Sequence, residues 1–344
     1  MSSADEALPR DALDRYFRVH LPAVGPIHEI RKFAGGQSNP TFLMTGTTGR
    51  FVLRAKPSGK LLKSAHAVDR EFRVLRALAG SGVPVPAVYH FCADETVIGR
   101  WFYVMEYVEG RLYWDPELPE VSSDGRTRIY DAMNRVQVAL HELDPAAIGL
   151  SDFGRPDHYF ERQIRRWTEQ YRASQTELHP DVERLIEWLP ENIPPDDGQV
   201  SLVHGDFRLD NLIFDEAGRA VALLDWELCT LGHPFADLAY QCAQWRLPAR
   251  GALRGLKGID REGLGIPMEE AYVAAYLRRR GLPSRVPSWE FYLVVSLFRL
   301  AAICQGVYKR GLDGNASSPA ALEYGTKAGT IAHEAAMIAD AAGG

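Results

Sequence analysis

Leu202-Val203-His204-Gly205-Asp206-Phe207-Arg208-Leu209-Asp210-Asn211-Leu212-Ile213-Phe214 is the stretch that decides how this chain is read. Its apolar ends have the length and composition of buried strands, and its polar residues are gathered between them. Asp206 and Asn211 are separated by four residues, and a further apolar run, Ala222-Leu223-Leu224, leads straight into Asp225-Trp226-Glu227. A lone Asp in such a place would be an ordinary loop residue. His204, Asp206, Asn211 and Asp225 in this order, with apolar strands on both sides, ask for a chemical reason.

The layout H-x-D-x-x-x-x-N, then a strand, then Asp, is the one a phosphoryl-transfer site requires. One carboxylate must face the acceptor hydroxyl, while the amide and the second carboxylate reach magnesium across the transferring group. Asp206 is the candidate base; the loose transition state asks it to orient the hydroxyl and take its proton late. Asn211 and Asp225 are the candidate Mg2+ ligands, because both offer hard oxygen donors and magnesium fills its shell with water and phosphate oxygens. Asn211 can also hold its own turn. For Arg208 two readings stand: a planar guanidinium on the γ-phosphate, or a solvated surface residue. His204 and Asp237 read as braces of the loop, and Glu227 is open between metal shell and loop support.

The chain of 344 residues is 46% apolar and 24% charged, an ordinary globular composition with room for two lobes. A net charge of −6 argues against nucleic acid as a partner. The four cysteines, Cys92, Cys229, Cys242 and Cys304, show no C-x-x-C pair and read as buried thiols of a reducing compartment. Residues 1–10 lack the apolar core of a secretory signal, and the run 291–298, closed by Arg299, is too short to span a bilayer. A cytoplasmic location and no membrane partner follow by default.

Runs 27–33 and 41–45 read as strands around the glycine-containing turn 34–40, and 50–56 as a third strand ended by Pro57-Ser58-Gly59. Apolar residues at Val68, Phe72, Leu75 and Leu78 have helical spacing, and 102–108 reads as another strand. Beyond Gly110 the pattern turns helical. Ser122 or Ser123 caps a helix to 143, followed by 158–171, 181–189, 234–245, 268–280, 288–309 and one from about 319. The alanine-rich end, 335–344, reads as a fraying helix tail. The expected fold class is α+β: a protein-kinase-like bilobal fold with a small β-rich N-lobe, 1–107, and a larger helical C-lobe, 108–344.

In Val52-Leu53-Arg54, Arg54 takes the place of the lysine in the strand motif V-A-I-K, with Glu71 on the next helix as its partner. Lys56, two residues on and so on the same strand face, is the second candidate. Gly36, Gln37, Ser38 and Asn39, with Gly35, would close over phosphates through backbone N–H groups, unless the segment is a plain hairpin turn. Glu106 and Val108 would offer backbone groups to adenine. Arg162, Arg165 and Arg166, with Arg155 and Arg172 nearby, suit an anionic acceptor such as CoA or form a solvated face balanced by Glu161 and Glu169.

With Gly36-Gln37-Ser38-Asn39-Pro40-Thr41, Tyr103-Val104-Met105-Glu106-Tyr107, the His204 loop, Leu224-Asp225-Trp226-Glu227 and Gln305-Gly306-Val307-Tyr308-Lys309-Arg310, the chain resembles the aminoglycoside phosphotransferase/choline kinase group. Within it the chain is most similar to the phosphotransferase domain that precedes the dehydrogenase in acyl-CoA dehydrogenase family members ten and eleven, and to bacterial stand-alone relatives. The resemblance implies an ATP- and Mg2+-dependent kinase acting on the hydroxyl of a hydroxyacyl-CoA, and an acyl-CoA dehydrogenase-like metabolic partner. Two rivals remain. An aminoglycoside or aminoalcohol kinase would line its acceptor cleft with carboxylates, and a non-catalytic module would not need Asp206, Asn211 and Asp225 intact.

Overall fold

The computed structural model describes residues 8–33, 39–57, 67–251, 253–315 and 319–343. Its described residues fall into two units, Met1–Gly110 with Val221–Leu228, and Arg111–Ala220 with Cys229–Gly344. A single boundary near 107 does not anticipate the return of Val221–Leu228 to the first unit, and that return carries Asp225 with it.

In the first unit, α1 (Arg10–His20), β1 (Ile27–Lys32), β2 (Thr41–Gly46), β3 (Gly49–Ala55), α2 (Val68–Leu78), β4 (Val88–Cys92), the one-turn α3 (Glu95–Ile98) and β5 (Phe102–Glu106) follow in order. The five strands form one sheet in the order β1-β2-β3-β5-β4, antiparallel throughout. Strand alternation decides what each face does. Leu53, Ala55, Phe102 and Val104 point into a core shared with Leu13 and Phe17 of α1. The residues between them turn the other way: Tyr103 meets Phe72 of α2, and Arg54 and Tyr103 both reach Glu71. Helix α1 and strand β4 are absent from the sequence reading.

The second unit contains β6 (Arg111–Leu112), α4 (Ser123–His141), α5 (Tyr159–Ser174), α6 (Pro180–Glu191), β7 (Ser201–Val203) and β8 (Leu212–Phe214). After β9 (Ala220–Leu223), which leads into Val221–Leu228, come β10 (Thr230–Gly232), α7 (Phe235–Cys242), α8 (Arg261–Leu264), α9 (Glu269–Arg279), α10 (Trp289–Leu312) and α11 (Tyr324–Gly343). Ser122 caps α4 by accepting from the Gly125 N–H, the choice the sequence had left between two serines.

Helix α10 is the axis of this unit and packs against α5, α6, α7 and α11. By length and composition it is apolar enough to cross a membrane, a property the short run 291–298 conceals; 72% of its apolar window is buried among its neighbours. The alanine-rich end is not a fraying tail. Ala328, Ala332, Ala335, Ala336 and Ala339 are buried at spacings of three and four, because small side chains let α11 lie close to α10. A methyl on Gly325 of α11 would sit 2.8 Å from the Tyr308 ring of α10. Gln305 of α10 donates to Ser174 O at 2.8 Å and Thr176 Oγ1 at 3.0 Å. Gln305 and Tyr308, both from the Gln305–Arg310 motif, are thereby engaged in helix packing.

Candidate functional site

The first unit presents a buried charge network. Glu71 is 1% exposed and has three partners: Arg54 Nε at 2.7 Å from Oε2, Asn39 Nδ2 donating to Oε1 at 2.5 Å, and Tyr103 Oη donating to Oε2 at 3.0 Å. Burial pushes the Glu71 pKa up, against the pull of Arg54. Burial alone would lower the Arg54 pKa, but Glu71 and Asp225 outweigh it and the guanidinium is held more firmly charged than usual. Nη2 of Arg54 lies 2.6 Å from Asp225 Oδ1. Asp225 has φ +65°, a left-handed conformation that non-glycine residues adopt under constraint and often at functional sites.

Lys56 is elsewhere. Strand β3 ends at Ala55, so the alternation that would put Lys56 beside Arg54 stops one residue short, and its ammonium sits 3.9 Å from the centroid of the Trp101 ring. Glu106 is the last residue of β5; its N–H donates to Ala87 O at 2.8 Å, and Val108 follows beyond the ladder. Gly35, Gly36, Gln37 and Ser38 lie outside the described residues.

In the second unit the loop between β7 and β8 turns at Gly205, whose φ of +82° suits a residue without Cβ. Asp237 near the start of α7 accepts from the His204 N–H at 2.6 Å and the Gly205 N–H at 2.9 Å. His141 Nε2 lies 3.3 Å from the same carboxylate, and its Nδ1 is 2.7 Å from the Tyr276 hydroxyl. Burial lowers the His141 pKa, with Asp237 opposing. His204 Nδ1 accepts the Asp206 N–H at 3.2 Å, so His204 and Asp237 together fix the backbone that carries Asp206.

The Asp206 side chain is 19% exposed, open enough to meet a substrate. Asn211 Nδ2 donates to its Oδ2 at 3.0 Å and to its carbonyl at 2.8 Å, so the amide nitrogen is occupied and the amide oxygen is the acceptor the side chain has left. Arg208 Nε lies 3.2 Å from Asp206 Oδ1, and its Nη2 lies 3.0 Å from Asp210. The solvated reading of Arg208 does not describe this arrangement. Burial would raise the Asp206 pKa; Arg208 and Arg299 outweigh it and hold the carboxyl below the usual range.

Two neighbours of Asp206 are missing from the sequence reading. The Tyr240 hydroxyl is close enough to the Asp206 carboxylate for the two to shift each other's pKa, the carboxylate adding to burial in raising that of the tyrosine. Arg299, which the sequence showed only as the end of an apolar run, donates through Nη2 to Gly205 O and stacks on Tyr240 and Trp167, 4.6 and 5.1 Å from their centroids. No local signal marks either residue, since α7 and α10 reach the loop only through the fold. Of the arginines on α5, Arg172 pairs with Glu183 at 2.5 Å and Arg162 donates to Arg155 O. Glu161 lies 3.2 Å from His158 Nδ1, and Arg165, Arg166 and Glu169 are exposed on the same helix.

The family model described as phosphotransferase enzyme family matches residues 29–285. The chain is 49% identical to acyl-CoA dehydrogenase family member 10 of Mus musculus over 323 residues, covering 93% of this chain and 30% of that protein. It is 41% identical to acyl-CoA dehydrogenase family member 11 of Rattus norvegicus over 312 residues, covering 89% and 40%. It therefore spans well under half the length of these curated relatives. A crystal structure from Ralstonia eutropha, provisionally labelled an aminoglycoside phosphotransferase, is 47% identical with a TM-score of 0.88 over 97% of this chain and 99% of that one. A thermostable aminoglycoside phosphotransferase variant solved with ADP and hygromycin B shares the fold at 16% identity and TM-score 0.63, over 95% and 98%. Network, loop and likeness agree: the chain belongs to the phosphotransferase enzyme family and has its kinase-like α+β fold.

Proposed function

We propose that the protein transfers the γ-phosphoryl group of ATP to the hydroxyl of a hydroxyacyl-CoA, with a 4-hydroxyacyl chain the first choice. The observation that carries the acceptor class is the hollow beside the Asp206 loop. Leu247, Leu253, Leu300 and Tyr240 line it with Arg208 and Arg254, and no carboxylate is among its lining residues. At about 10 Å³ the hollow seats no acyl chain as it stands, so what bears on the acceptor is the character of this surface, apolar and cationic where a polycationic aminoglycoside asks for acids. The aminoglycoside reading draws its support from the label of the Ralstonia eutropha structure. The names of the dehydrogenase relatives support the acyl-CoA reading and a dehydrogenase-type partner that consumes the phosphorylated product.

Within this reading Asp206 orients the acceptor hydroxyl and takes its proton on a carboxylate oxygen as the phosphoryl group arrives. Asn211, His204 and Asp237 keep that carboxylate in place. Arg54, positioned by Glu71, binds phosphate oxygens of the nucleotide, and Arg208 meets the transferred group. ATP as donor is supported by the ADP bound in the aminoglycoside enzyme of the same fold. The Asn211 amide oxygen in the second unit and the Asp225 carboxylate in the first are each hard donors of the kind magnesium takes beside water and phosphate; magnesium would supply neutralisation of phosphate charge. Four buried free thiols accord with a cytoplasmic setting.

The test is ADP release with the CoA thioesters of 3-, 4- and 5-hydroxy acids, set beside aminoglycosides and choline. Turnover on a thioester and none on the cations is expected; the reverse pattern would replace this reading with the aminoglycoside one.

A further inference from the structure

Arg166 and Arg299 share one indole. Their guanidinium carbons lie 5.4 and 5.1 Å from the centroid of Trp167, which is 5% exposed. Among the described residues no carboxylate forms an ion pair with either arginine within 4.0 Å, whereas Arg172 on the same helix is paired. Two like charges on one ring repel each other, and Arg166 shows it: burial first, and then Arg299, lower its pKa. The Nε of Arg299 is buried with no hydrogen-bond partner among the described residues. A buried donor left without an acceptor is costly, and a water, an ion or a bound oxygen can supply the acceptor.

The direction of that oxygen follows from the backbone. Arg299 is tied through Nη2 to the carbonyl of Gly205, the residue before Asp206, and it stacks on Tyr240, whose hydroxyl interacts electrostatically with the Asp206 carboxylate. A group held by Arg299 therefore lies a few bonds from a hydroxyl seated on Asp206. The CoA phosphates, at the far end of the pantetheine arm, are too remote for this place. A carbonyl or carboxylate oxygen of the acyl chain is near enough.

We propose that Arg166 and Arg299, stacked on Trp167, form a subsite for the acyl oxygen of the acceptor, whether thioester carbonyl or free carboxylate. This rests on the hydroxyacyl reading above and adds to it the reason for a particular hydroxyl position: the clamp measures the number of carbons between acyl oxygen and hydroxyl. It also makes Arg166, on the exposed side of Trp167, a specificity residue outside the catalytic loop.

The experiment compares wild type, Arg166→Ala and Arg166→Lys on three acceptors: 4-hydroxyacyl-CoA, the free 4-hydroxy acid, and a thioether analogue of the CoA ester without the carbonyl. Arg166→Ala is expected to raise KM about tenfold for the two acceptors with an acyl oxygen, with kcat and the KM for ATP nearly unchanged. On the thioether its KM should match wild type. Arg166→Lys should recover part of the loss, since it restores charge without the planar fork. The relative loss on ester and acid tells which oxygen the site was built for. An equal loss on all three acceptors, or none on any, overturns the subsite while leaving the kinase reading standing. No wild-type turnover on any of them overturns both.

Discussion

Nη2 of Arg54 lies 2.6 Å from Oδ1 of Asp225. Through Nε the same guanidinium lies 2.7 Å from Glu71, so one side chain of β3 joins a deeply buried carboxylate to a candidate metal ligand in a strained left-handed conformation. A lysine ammonium is a point charge, whereas the fork of an arginine serves both directions at once.

Arg54→Ala should therefore act twice. It strands the Glu71 charge in the interior, which costs about 3–5 kcal/mol, and it removes the guanidinium proposed to bind the nucleotide phosphates. A lowered melting temperature and a raised KM for ATP are expected together. Lys56→Ala removes a cation resting on Trp101 and should move either quantity little. The reverse ranking would show that the wrong residue of the strand has been assigned.

The pH profile follows from the charges around Asp206. Its folded pKa is depressed by Arg208 and Arg299 against the effect of burial. Stability and activity that depend on the ionised form are thus complete above the ordinary Asp value of about 3.9 and are lost only as pH falls through the lower folded pKa. Rate against pH should show no carboxylate limb above about pH 4.5. Arg208→Gln should shift any such limb upward, and an unmoved profile would count against the pairing.

Asp237→Asn is the test of the loop's brace. An amide supplies one acceptor oxygen where the carboxylate supplies two, so either the His204 or the Gly205 N–H loses its partner. Denaturant unfolding should show a loss of about 1–3 kcal/mol, with kcat falling more than KM for ATP. A variant as stable and active as wild type would mean that the loop holds its shape without Asp237.

Gly325→Ala addresses the two long helices. The added methyl would press on the Tyr308 ring at 2.8 Å, and overpacking of this kind costs about 1–3 kcal/mol. Thermal unfolding should shift down, and Tyr308→Phe should not rescue it, because the clash is with ring carbons.

The loop from His204 to Asp225 was legible because its chemistry imposes short, fixed spacings within one stretch of chain. Val68–Leu78 was legible to the residue, since one apolar face has only the helical period to follow. Arg54 could be paired with Glu71 from sequence, yet its choice over Lys56 depended on where β3 ends, and strand ends leave little trace in composition. Helix α1 buries only Leu13 and Phe17 and offers too few apolar positions for a period. The alanines of α11 read as weak packers until the close approach to α10 showed that smallness is what the interface needs. Tyr240 and Arg299 depend on three helices meeting at the loop, a relation between residues up to 94 positions apart.

The most direct measurement of the central claim is phosphorus NMR of the product formed from ATP, magnesium and 4-hydroxyacyl-CoA by wild type and by Asp206→Asn. The account predicts a phosphate ester on the acyl hydroxyl with wild type. With Asp206→Asn it predicts a rate about 10²–10⁴-fold lower at unchanged ATP affinity. An ester formed equally fast by Asp206→Asn, or no ester from wild type alongside phosphorylation of an aminoglycoside, would contradict it.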